Sequence, residues 1–574
     1  MKKKVIYYII IIGLSLVVLL GYKNRRYVYY LLQKEQANSI ELNTSEPVLA
    51  VFSFNGDVQN QLISSFSHIK VILTDNGKWE HNDTLLTEFA DSIPVMITVE
   101  TWGGNRTITH YSSPLGKLVK GDYNKAIQSF CKELIGKRSN VYIRFDPEME
   151  VPVKYFPWQF QGPGEYINAF RYFTKQCKLF SPQVKIVWGP AGYPGSMEFY
   201  PGDDVVDVTS VTVKSDSEQF LNVYPKNYPD QYDIFRRLHR LRFIDKPVYI
   251  IGSKQYMSDS VNWELIYNIS NIINKERDVV YSNVNFNQHA FDKAQGNFEK
   301  FEIGLYDPQA LLNTDEHVTV EHLFVDFGSL DNGKFESEFQ KVIKRGHNVI
   351  VTFEPFRFPD GKTDLNVLQN ITIGRYDREI EHLYSILTQT KARVYLRYAH
   401  EMEIPITRYP WQSQNPVDYI HSFRYFMNFM NPFPDNIKRV WGPAGDRGSI
   451  EWYPGNDVVD FLSIAIYGLP DKNITDPEKQ ETFSAIFNRK FWRLRSIDKP
   501  LFITEFGVKG PEDYQTKWLE GAARVIRDNP QIAGINYFNM SDTPKAWGDI
   551  KPPDWSISAE SFHHFIEVLR GDLK

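Results

Sequence analysis

Two glutamates in the C-terminal half of the chain follow apolar runs and could work as a pair of carboxyl groups. Glu401 lies in RYAHEMEIPITRYPWQ (397–412), and Glu505 lies in PLFITEFG (500–507). Cleavage of a glycosidic bond by a retaining enzyme uses two such groups, because one protonates the leaving oxygen while the other attacks the anomeric carbon. Either glutamate alone is explained equally well by an ion pair, and Arg397 lies on the same run as Glu401. The two together favour glycoside hydrolysis, provided that the fold brings them face to face.

These glutamates belong to a series of eight short, β-branched, apolar runs, each followed by helix-like sequence. The runs are FEIGLYD (301–307), LFVDFGS (323–329), NVIVTFEP (348–355), RVYLRYA (393–399), IKRVWGP (437–443), VDFLSIAIYG (459–468), PLFITEFG (500–507) and IAGINYFN (532–539). Near-continuous apolar strands that alternate with helices form a parallel sheet covered on both faces. Eight such units predict a TIM (β/α)8 barrel, an α/β fold. A doubly wound open sheet is the alternative, although no Gly-rich phosphate loop opens the series.

In a TIM barrel the reactive side chains lie at the C-terminal ends of the strands. The residues at these ends therefore form the predicted barrel mouth, and in strand order they are Glu354, His400 with Glu401, Trp441, Tyr467, Glu505 and Asn539. Glu354 is a substrate-binding candidate, although an ion pair explains it equally well. Arg397 is expected to orient carboxylates structurally. The sequence shows no metal-ligand set, and the chemistry requires no cofactor.

The chain repeats itself at an offset of 253 residues, so that RFDPEMEVPVKYFPWQ (144–159) restates the stretch that contains the first glutamate. PWQ, FRYF, VWGPAG and a Lys-Pro pair recur at the same offset, and eight similar apolar runs extend from PVLAVFSF (47–54) to VVYSNVNFN (279–287). A period of this length indicates a duplicated domain rather than a solenoid repeat. The sequence therefore predicts two tandem (β/α)8 barrels, over residues 47–299 and 300–574.

The second copy resembles glycoside hydrolase family 26. The resemblance rests on His-Glu-Met at strand 4, PGNDVVDFLSIAIYG through strand 6, ITEFG at strand 7 and the late PPDWSIS. That family holds retaining β-mannanases, with some β-glucanases and β-1,3-xylanases. By this resemblance Glu401 is the acid/base, Glu505 the nucleophile, His400 the support of the acid and Tyr467 a hydrogen-bond donor to the nucleophile. The resemblance also implies three aromatic residues that line the cleft, Trp441, Trp452 and Trp555.

One departure from the family concerns the residues after His-Glu-Met. The mannanases usually have Asn and then an aromatic residue there, whereas this chain has Glu403 and Ile404. A third acid is therefore expected near the mouth, and specificity for mannan is left open. Trp411 is the next tryptophan and is a sugar-binding candidate that is equally suited to packing the loop. Tyr467 is also explained as a core residue.

The first copy keeps the acid but loses the groups around it. Glu148 corresponds to Glu401, whereas the positions of His400, Tyr467 and Glu505 are occupied by Pro147, Lys214 and Gly252. Without a nucleophile no glycosyl-enzyme can form, so the first copy is expected to fold as a barrel and not to catalyse. Asp146 and Asp216 keep open the alternative of a different second carboxylate.

The N-terminus predicts a membrane anchor. Residues 5–22 carry no charge after a basic start, and no small-x-small cleavage site follows. Residues 23–46 are expected to be a polar linker. Basic residues on both sides of the apolar run leave its orientation undecided. Residues 1–22 are interpreted as a single-pass anchor in the cell membrane, with both barrels on the extracytoplasmic side.

Composition excludes some partners and favours others. A net charge of −5 on 574 residues gives no reason to expect nucleic acid, and an aromatic content of 15% suits either sugar stacking or a large core. The chain has two cysteines, Cys131 and Cys177, in apolar helix-like settings without any CxxC spacing. Two are too few for a disulfide framework, and they are expected to be small buried core residues.

Taken together, the patterns predict a membrane-anchored, retaining endo-β-glycanase of mannanase-like type that acts on β-linked polysaccharide or oligosaccharide. Two alternatives remain. One is a non-catalytic glycan-binding scaffold, which the first copy fits and the paired glutamates of the second oppose. The other is an accessory enzyme that trims or transglycosylates a polymer beside polysaccharide-synthesis and export machinery, a role suited to an anchored protein.

Overall fold

The computed structural model describes thirteen stretches of the chain: residues 48–52, 67–80, 94–101, 113–135, 141–152, 156–213, 230–252, 261–281, 300–357, 364–405, 408–468, 481–541 and 552–572. The chain divides into two compact units between Lys275 and Glu276, earlier than the predicted boundary at residue 300. Within the second unit, Glu276 Oε2 lies 2.6 Å from His421 Nε2. The predicted anchor and linker lie outside the described residues, and among those described no helix is both long and apolar enough to cross a bilayer.

In the described residues of the first unit the strands form an open sheet, whereas the sequence predicts a closed barrel. In the described part of the unit its strands are β1 (Val48–Phe52), β2 (Ser67–Leu73), β3 (Trp79–Glu80), β4 (Val95–Thr101), β5 (Val141–Phe145), β6 (Lys185–Trp188), β7 (Val208–Val213) and β8 (Val248–Gly252). Their order is β1-β8-β7-β6-β5-β4-β2-β3. The sheet is parallel from β2 through β4 to β8, whereas β1 runs antiparallel to β8 and β3 antiparallel to β2.

The predicted eighth strand of the first copy is wrong where it can be compared. Arg277–Tyr281 forms a π-helix, which occupies the start of the predicted run at 279–287, and the rest of that run lies outside the described residues. The α-helices described in the first unit are α1 (Pro114–Lys120), α2 (Asn124–Glu133), α3 (Pro163–Lys178), α4 (Asp230–Arg240) and α5 (Val261–Lys275). Two 3-10 helices also form, at Pro157–Phe160 and Ser196–Phe199.

A disulfide joins two helices of the first unit; the predicted burial of both cysteines is confirmed, whereas the bond between them was not predicted. Cys131 on α2 and Cys177 on α3 are both fully buried and are bonded to each other, with their Cα atoms 5.4 Å apart. The side-by-side packing of α2 and α3 brings the two cysteines together across 46 residues of sequence. Sequence spacing alone does not reveal such a contact.

The second unit is a closed eight-stranded parallel barrel, as predicted. Its strands are β9 (Glu302–Tyr306), β10 (Val320–Asp326), β11 (Asn348–Glu354), β12 (Val394–Tyr398), β13 (Ile437–Trp441), β14 (Phe461–Gly468), β15 (Leu501–Val508) and β16 (Ile532–Phe538). Each strand pairs in parallel with the next, and β16 closes the barrel on β9. The α-helices described around it are α6 (Phe327–Asp331), α7 (Lys334–Arg345), α8 (Val367–Thr372), α9 (Asp377–Leu387), α10 (Pro416–Met427), α11 (Phe483–Leu494), α12 (Glu512–Arg527) and α13 (Ala559–Arg570). Two short 3-10 helices, Ser449–Trp452 and Asn456–Val458, precede β14.

The barrel interior is layered, and a polar layer follows the apolar one. Seven strands contribute one buried side chain each to an apolar cluster, which comprises Val320, Ile350, Tyr395, Val440, Phe461, Phe502 and Ala533. Side chains of a strand alternate between its two faces, so the next inward position lies two residues further along. On five of these strands that position is polar and buried, with His322, Thr352, Arg397, Ser463 and Thr504. This polar layer lies directly beneath the C-terminal mouth of the barrel.

Candidate active site

Glu401 is held by an unusual backbone turn at the end of β12. Ala399 and Glu401 have φ values of 44° and 53°, in the left-handed region that residues other than glycine rarely adopt. The Glu401 N–H donates to the Gly442 carbonyl at 2.8 Å, which ties the turn to the end of β13. The Trp411 indole donates to the His400 carbonyl at 2.8 Å, and the Gln412 amide donates to the Glu401 carbonyl at 3.3 Å. The PWQ motif therefore fixes the loop that presents Glu401.

Glu505 reaches the mouth because β15 contains a bulge. Ser463 of β14 pairs with Phe502, but Ala465, two residues further on, pairs with Glu505. The extra residue on β15 shifts the register, and such a bulge re-aims the side chains next to it. Thr504 and Glu505 are consecutive, yet both contact Arg397, which lies inside the barrel.

Arg397 orients the carboxylate of Glu505. Its guanidinium is almost completely buried, donates to Thr352 Oγ1 and Thr504 Oγ1 at 2.8 Å each, and forms an ion pair with Glu505 Oε1. The Tyr467 hydroxyl donates to the other carboxylate oxygen, Oε2, at 2.9 Å. This is the contact that the family resemblance implies for Tyr467. A carboxylate bound at both oxygens is fixed in orientation, as a nucleophile requires.

The environment of Glu401 favours its protonated form. Burial, together with the negative charge of Glu505, raises the pKa of Glu401 to about 7, while Lys490 and Arg397 oppose the shift. A carboxyl group with a pKa near neutrality can donate a proton and later recover one. Glu401 therefore has the properties of a general acid, and Glu505, bound to a guanidinium, those of the charged partner.

A hydrolysis in which Glu401 is the acid is expected to depend on pH through this shift. The pKa of Glu401 is raised, so the protonated acid is present below about 7 and is lost as the pH rises through that value. We expect kcat/KM to fall by about tenfold per pH unit above that point, because kcat/KM reports the ionisation of the free enzyme. The measurement is a pH–rate profile on a β-glycan. An aryl glycoside with a good leaving group is the control, since it needs less protonation and should have a flatter alkaline limb. An alkaline limb with its midpoint near the ordinary pKa of a glutamate would contradict the assignment of Glu401 as the acid.

Glu354 and His400 lie side by side next to the two glutamates. Burial raises the pKa of Glu354 to about 8, and the charges of Asp326 and Glu505 act in the same direction. His400 Nε2 lies 4.0 Å from Glu354 Oε1, and burial together with the Arg397 charge holds the pKa of His400 well below its usual range. At neutral pH a protonated carboxyl group and a neutral imidazole therefore face the site, and both can donate or accept hydrogen bonds.

The tryptophans predicted to bind sugar are structural. Trp411 and Trp441 are fully buried, and Trp452 and Trp555 are 4% and 1% exposed, so none of them offers a ring face to a ligand. Trp441 packs edge-on against Tyr453 and Trp452 edge-on against Tyr419, whereas Trp555 lies 4.7 Å from the Tyr467 ring and supports it. Asn539 is also fully buried, and its Oδ1 accepts the Ile557 N–H at 3.0 Å. The aromatic rings that contact the site residues and keep some exposed surface are instead Phe324, Phe356, Tyr409 and Tyr467.

Glu403, the third acid expected near the mouth, bridges two loops, and its charge raises the pKa of Glu401. Its Oε1 accepts the N–H groups of Gly445 and Asp446 at 2.9 and 3.1 Å and the Ser449 hydroxyl at 2.8 Å. Glu150 of the first unit does the same, since its Oε1 accepts the Tyr193 N–H at 2.9 Å. This shared role explains why the position is acidic in both copies.

The three hydrogen bonds that fix the loop around Glu401 recur in the first unit. The Trp158 indole donates to the Pro147 carbonyl at 2.7 Å, the Gln159 amide to the Glu148 carbonyl at 2.8 Å, and the Glu148 N–H to the Gly189 carbonyl at 2.7 Å. Asp146 and Glu148 also have positive φ values, of 39° and 60°. The doubled sequence therefore encodes one loop conformation, whether or not a reaction centre surrounds it.

Among the described residues of the first unit, the arrangement around Glu505 has no counterpart. The pairing of β7 with β8 is regular from Thr209 to Val213, without the bulge that presents Glu505, and ends at Gly252. Asp146, the other carboxylate that the sequence left open, is fully buried and accepts the N–H and the hydroxyl of Thr101 at 2.7 Å each. Glu100, at the end of β4, forms an ion pair with Lys70 at 3.0 Å. Lys214 and Asp216 lie outside the described residues.

Lys490 and Tyr409 are site residues that sequence reasoning missed. Arg397, in contrast, was expected to orient carboxylates, and its ion pair with Glu505 agrees with that expectation. Lys490 lies on α11, donates to the Ala444 carbonyl at 2.6 Å and lowers the pKa of Glu401. No motif marks Lys490. Tyr409 stacks on Trp411 at 4.5 Å, and its place next to PWQ was the available signal.

Comparisons with known proteins give short matches to glycoside hydrolases. The chain is 31% identical over 181 residues to β-1,3-xylanase TXYA of Vibrio sp., which covers 29% of this chain and 35% of that protein. It is 30% identical over 155 residues to a β-1,3-xylanase of Alcaligenes sp., which covers 26% of this chain and 29% of that protein. The chain thus spans about a third of the length of these curated relatives. The solved structure of GH26C from Muricauda sp. is 14% identical with a TM-score of 0.36, and the match covers 50% of this chain and 93% of that one. No family model matches the chain.

Proposed function

We propose that this protein is a retaining endo-β-glycanase of the family 26 type, whose second unit cleaves β-linked polysaccharide with Glu401 and Glu505. The observation that supports this most strongly is the electrostatic difference between the two carboxyl groups at one barrel mouth. Glu401 has a raised pKa of about 7, whereas Glu505 is bound to the Arg397 guanidinium and the Tyr467 hydroxyl. Two carboxyl groups in such contrasting environments can take the acid and nucleophile roles.

The reaction proceeds in two displacements. In the first, the Glu505 carboxylate attacks the anomeric carbon while Glu401 transfers its proton to the glycosidic oxygen, so that the leaving sugar departs as an alcohol and a glycosyl ester forms on Glu505. In the second, Glu401 removes a proton from water, the oxygen of that water attacks the anomeric carbon, and the Glu505 carboxylate is released. The β configuration is retained because the carbon inverts twice.

The substrate is expected to be a β-linked glycan bound by rings and two polar groups. The partly exposed rings of Phe324, Tyr409 and Tyr467 can cover sugar faces, and Glu354 with His400 can bind hydroxyl groups. The resemblance to family 26 favours mannan. The two curated relatives are named β-1,3-xylanases, so β-1,3-xylan is the second candidate substrate.

The first unit is proposed to be a degenerate copy of the second that supports it or binds glycan without cleaving it. The repeated loop hydrogen bonds around Trp158 and Glu148 support common descent. The regular β7–β8 pairing and Gly252 leave no counterpart of Glu505. Because this counterpart is missing, a glycan-binding scaffold remains the alternative role for the first unit.

The location is proposed to be the outer side of the cell membrane, with the N-terminal apolar run at 5–22 as the anchor. The buried Cys131–Cys177 disulfide supports this side, since disulfides persist in oxidising compartments. An anchored enzyme is suited to trimming a polymer beside export machinery, and this remains the alternative to a degradative role.

A panel of soluble β-glycans tests the proposal directly. The full chain is incubated with β-1,4-mannan, β-1,3-xylan, β-1,4-xylan and mixed-linkage β-glucan, and reducing ends are measured over time. We expect cleavage of at least one polymer and β-anomeric products in early NMR spectra. Glu505→Ala is the inactive control. Release of product by Glu505→Ala at the wild-type rate, or α-anomers from the wild type, would contradict the retaining assignment, and no cleavage of any polymer would favour the scaffold.

A further inference from the structure

A cluster of two imidazoles and one carboxylate lies away from the barrel mouth, where the first and last elements of the second unit meet. Asp315 and His317 lie in the connection between β9 and β10, and His563 lies on α13. His317 Nδ1 lies 2.8 Å from Asp315 Oδ1, and His563 Nε2 lies 2.5 Å from Asp315 Oδ2. Both rings thus face the same carboxylate, although Asp315 and His563 are 248 residues apart in sequence.

The geometry and the donor set match those of a borderline divalent metal. Each of the three residues offers one ligand atom, and these three atoms all lie within 4.8 Å of one another. Zinc binds imidazole nitrogen and carboxylate oxygen at about 2.0–2.2 Å, which places tetrahedral ligands roughly 3.3 Å from one another. The present contacts of 2.5 and 2.8 Å need to open by less than about 1 Å to admit the ion.

The partial exposure of the cluster favours a site that an ion can reach. The Asp315 and His317 side chains are 12% and 19% exposed, so they are held by the fold, whereas the His563 side chain is 49% exposed and opens to solvent. The neighbouring His564 provides a contrast, because it pairs with a single acid, Glu520, at 2.8 Å. Of these two adjacent histidines on α13, His563 is the one that converges with a second imidazole.

We propose that Asp315, His317 and His563 bind one Zn²⁺ ion or a similar transition-metal dication, with water as the fourth ligand. The ion would tie α13, the last helix described, to the connection that follows β9. Because β9 and β16 are the strands that close the barrel, this cross-link would join the two ends of the unit. A link between residues so far apart in sequence restricts the unfolded chain strongly. The site is structural, and it is independent of the proposed hydrolase activity.

The test is metal binding and metal-dependent stability of the full chain, purified in a mild detergent and treated with a chelator. After addition of zinc and desalting, we expect about one zinc per chain by elemental analysis. At zinc concentrations about 100-fold above Kd we expect the Tm of the second unit to rise by about 3–6 °C. Cobalt in place of zinc should give the visible absorption of a tetrahedral centre.

The variants separate this site from weak surface binding. Asp315→Asn and His563→Gln should each abolish the zinc-dependent rise in Tm, whatever they do to Tm without zinc. His564→Gln, the matched neighbour, should keep the full rise and the bound zinc. The proposal is overturned if the wild type retains no zinc after desalting, or if Asp315→Asn and His563→Gln bind zinc as the wild type does. Hydrolysis of β-glycans is measured in parallel, so failure here and failure of the proposed activity are distinguishable.

Discussion

Glu401→Gln should lower kcat on a natural β-glycan by about 10²–10⁴-fold, and Glu505→Gln should lower it by at least about 10⁴-fold. The first substitution removes the proton that the leaving oxygen needs. The second removes the atom that forms the glycosyl-enzyme, so no alternative route remains within the described site. Glu148→Gln is the matched control, because Glu148 has the same loop geometry in the first unit without a partner like Glu505. It should leave kcat unchanged.

Two further measurements separate the roles of the two glutamates. An aryl glycoside with a good leaving group should recover much of the loss in Glu401→Ala and little of the loss in Glu505→Ala, because only the former lacks a proton donor. Added azide should give the β-glycosyl azide with Glu401→Ala, through the glycosyl-enzyme, and the α-glycosyl azide with Glu505→Ala, by direct displacement. The opposite anomers would show that Glu505 is the acid/base and Glu401 the nucleophile. Wild-type rates in both variants would show that neither glutamate takes part in the reaction.

Arg397→Met should destabilise the second unit by about 3–5 kcal/mol and abolish activity. Arg397 is 1% exposed and Glu505 7% exposed, so the substitution leaves a carboxylate in the barrel without its counter-charge. The free energy of unfolding lost in this way is mostly the cost of the unpaired group. Hydrogen exchange of peptides from β12 and β15 measures this loss of stability for the second unit alone, since a chain of two units need not unfold in one step.

A double variant distinguishes the stability effect from the chemical one. Arg397→Met combined with Glu505→Gln removes both charges, so most of the lost protection should return while activity stays absent. Arg144→Met is the control in the first unit, where Arg144 donates to Thr212. Arg144→Met should weaken the hydrogen-exchange protection of the first unit and leave kcat/KM at the wild-type value. An Arg397→Met variant with unchanged protection would show that the ion pair does not stabilise the barrel.

The strands of the second unit could be read from the sequence because each one is a short apolar run between turns. All eight predicted runs overlap a strand, and the largest difference is at β10, predicted at 323–329 and found at Val320–Asp326. The reason lies in Asp326, whose side chain accepts the Ser329 N–H at 2.6 Å and caps the helix that starts at Phe327. Local capping thus ended the strand earlier than its apolar composition indicated.

The first unit shows where local pattern was insufficient. Residues 277–281 carry the β-branched pair Val279 and Val280, typical of a strand, yet they form a π-helix, and β1 runs antiparallel to β8. Both outcomes depend on which segments lie next to each other, and hydrophobic pattern does not contain that information. The same limit applies to the Cys131–Cys177 disulfide.

By itself, the sequence determined the closed parallel barrel of the second unit and the two glutamates at its mouth, because strand pattern and residue type are local properties. Only the tertiary structure decided what surrounds those glutamates. It buried the tryptophans that were predicted to bind sugar, placed Glu505 against Arg397 through a bulge in β15, and joined Glu403 to a neighbouring loop. Burial, register and charge pairing depend on contacts between segments far apart in the chain. Those contacts turn two candidate carboxyl groups into an acid and a nucleophile of distinct character.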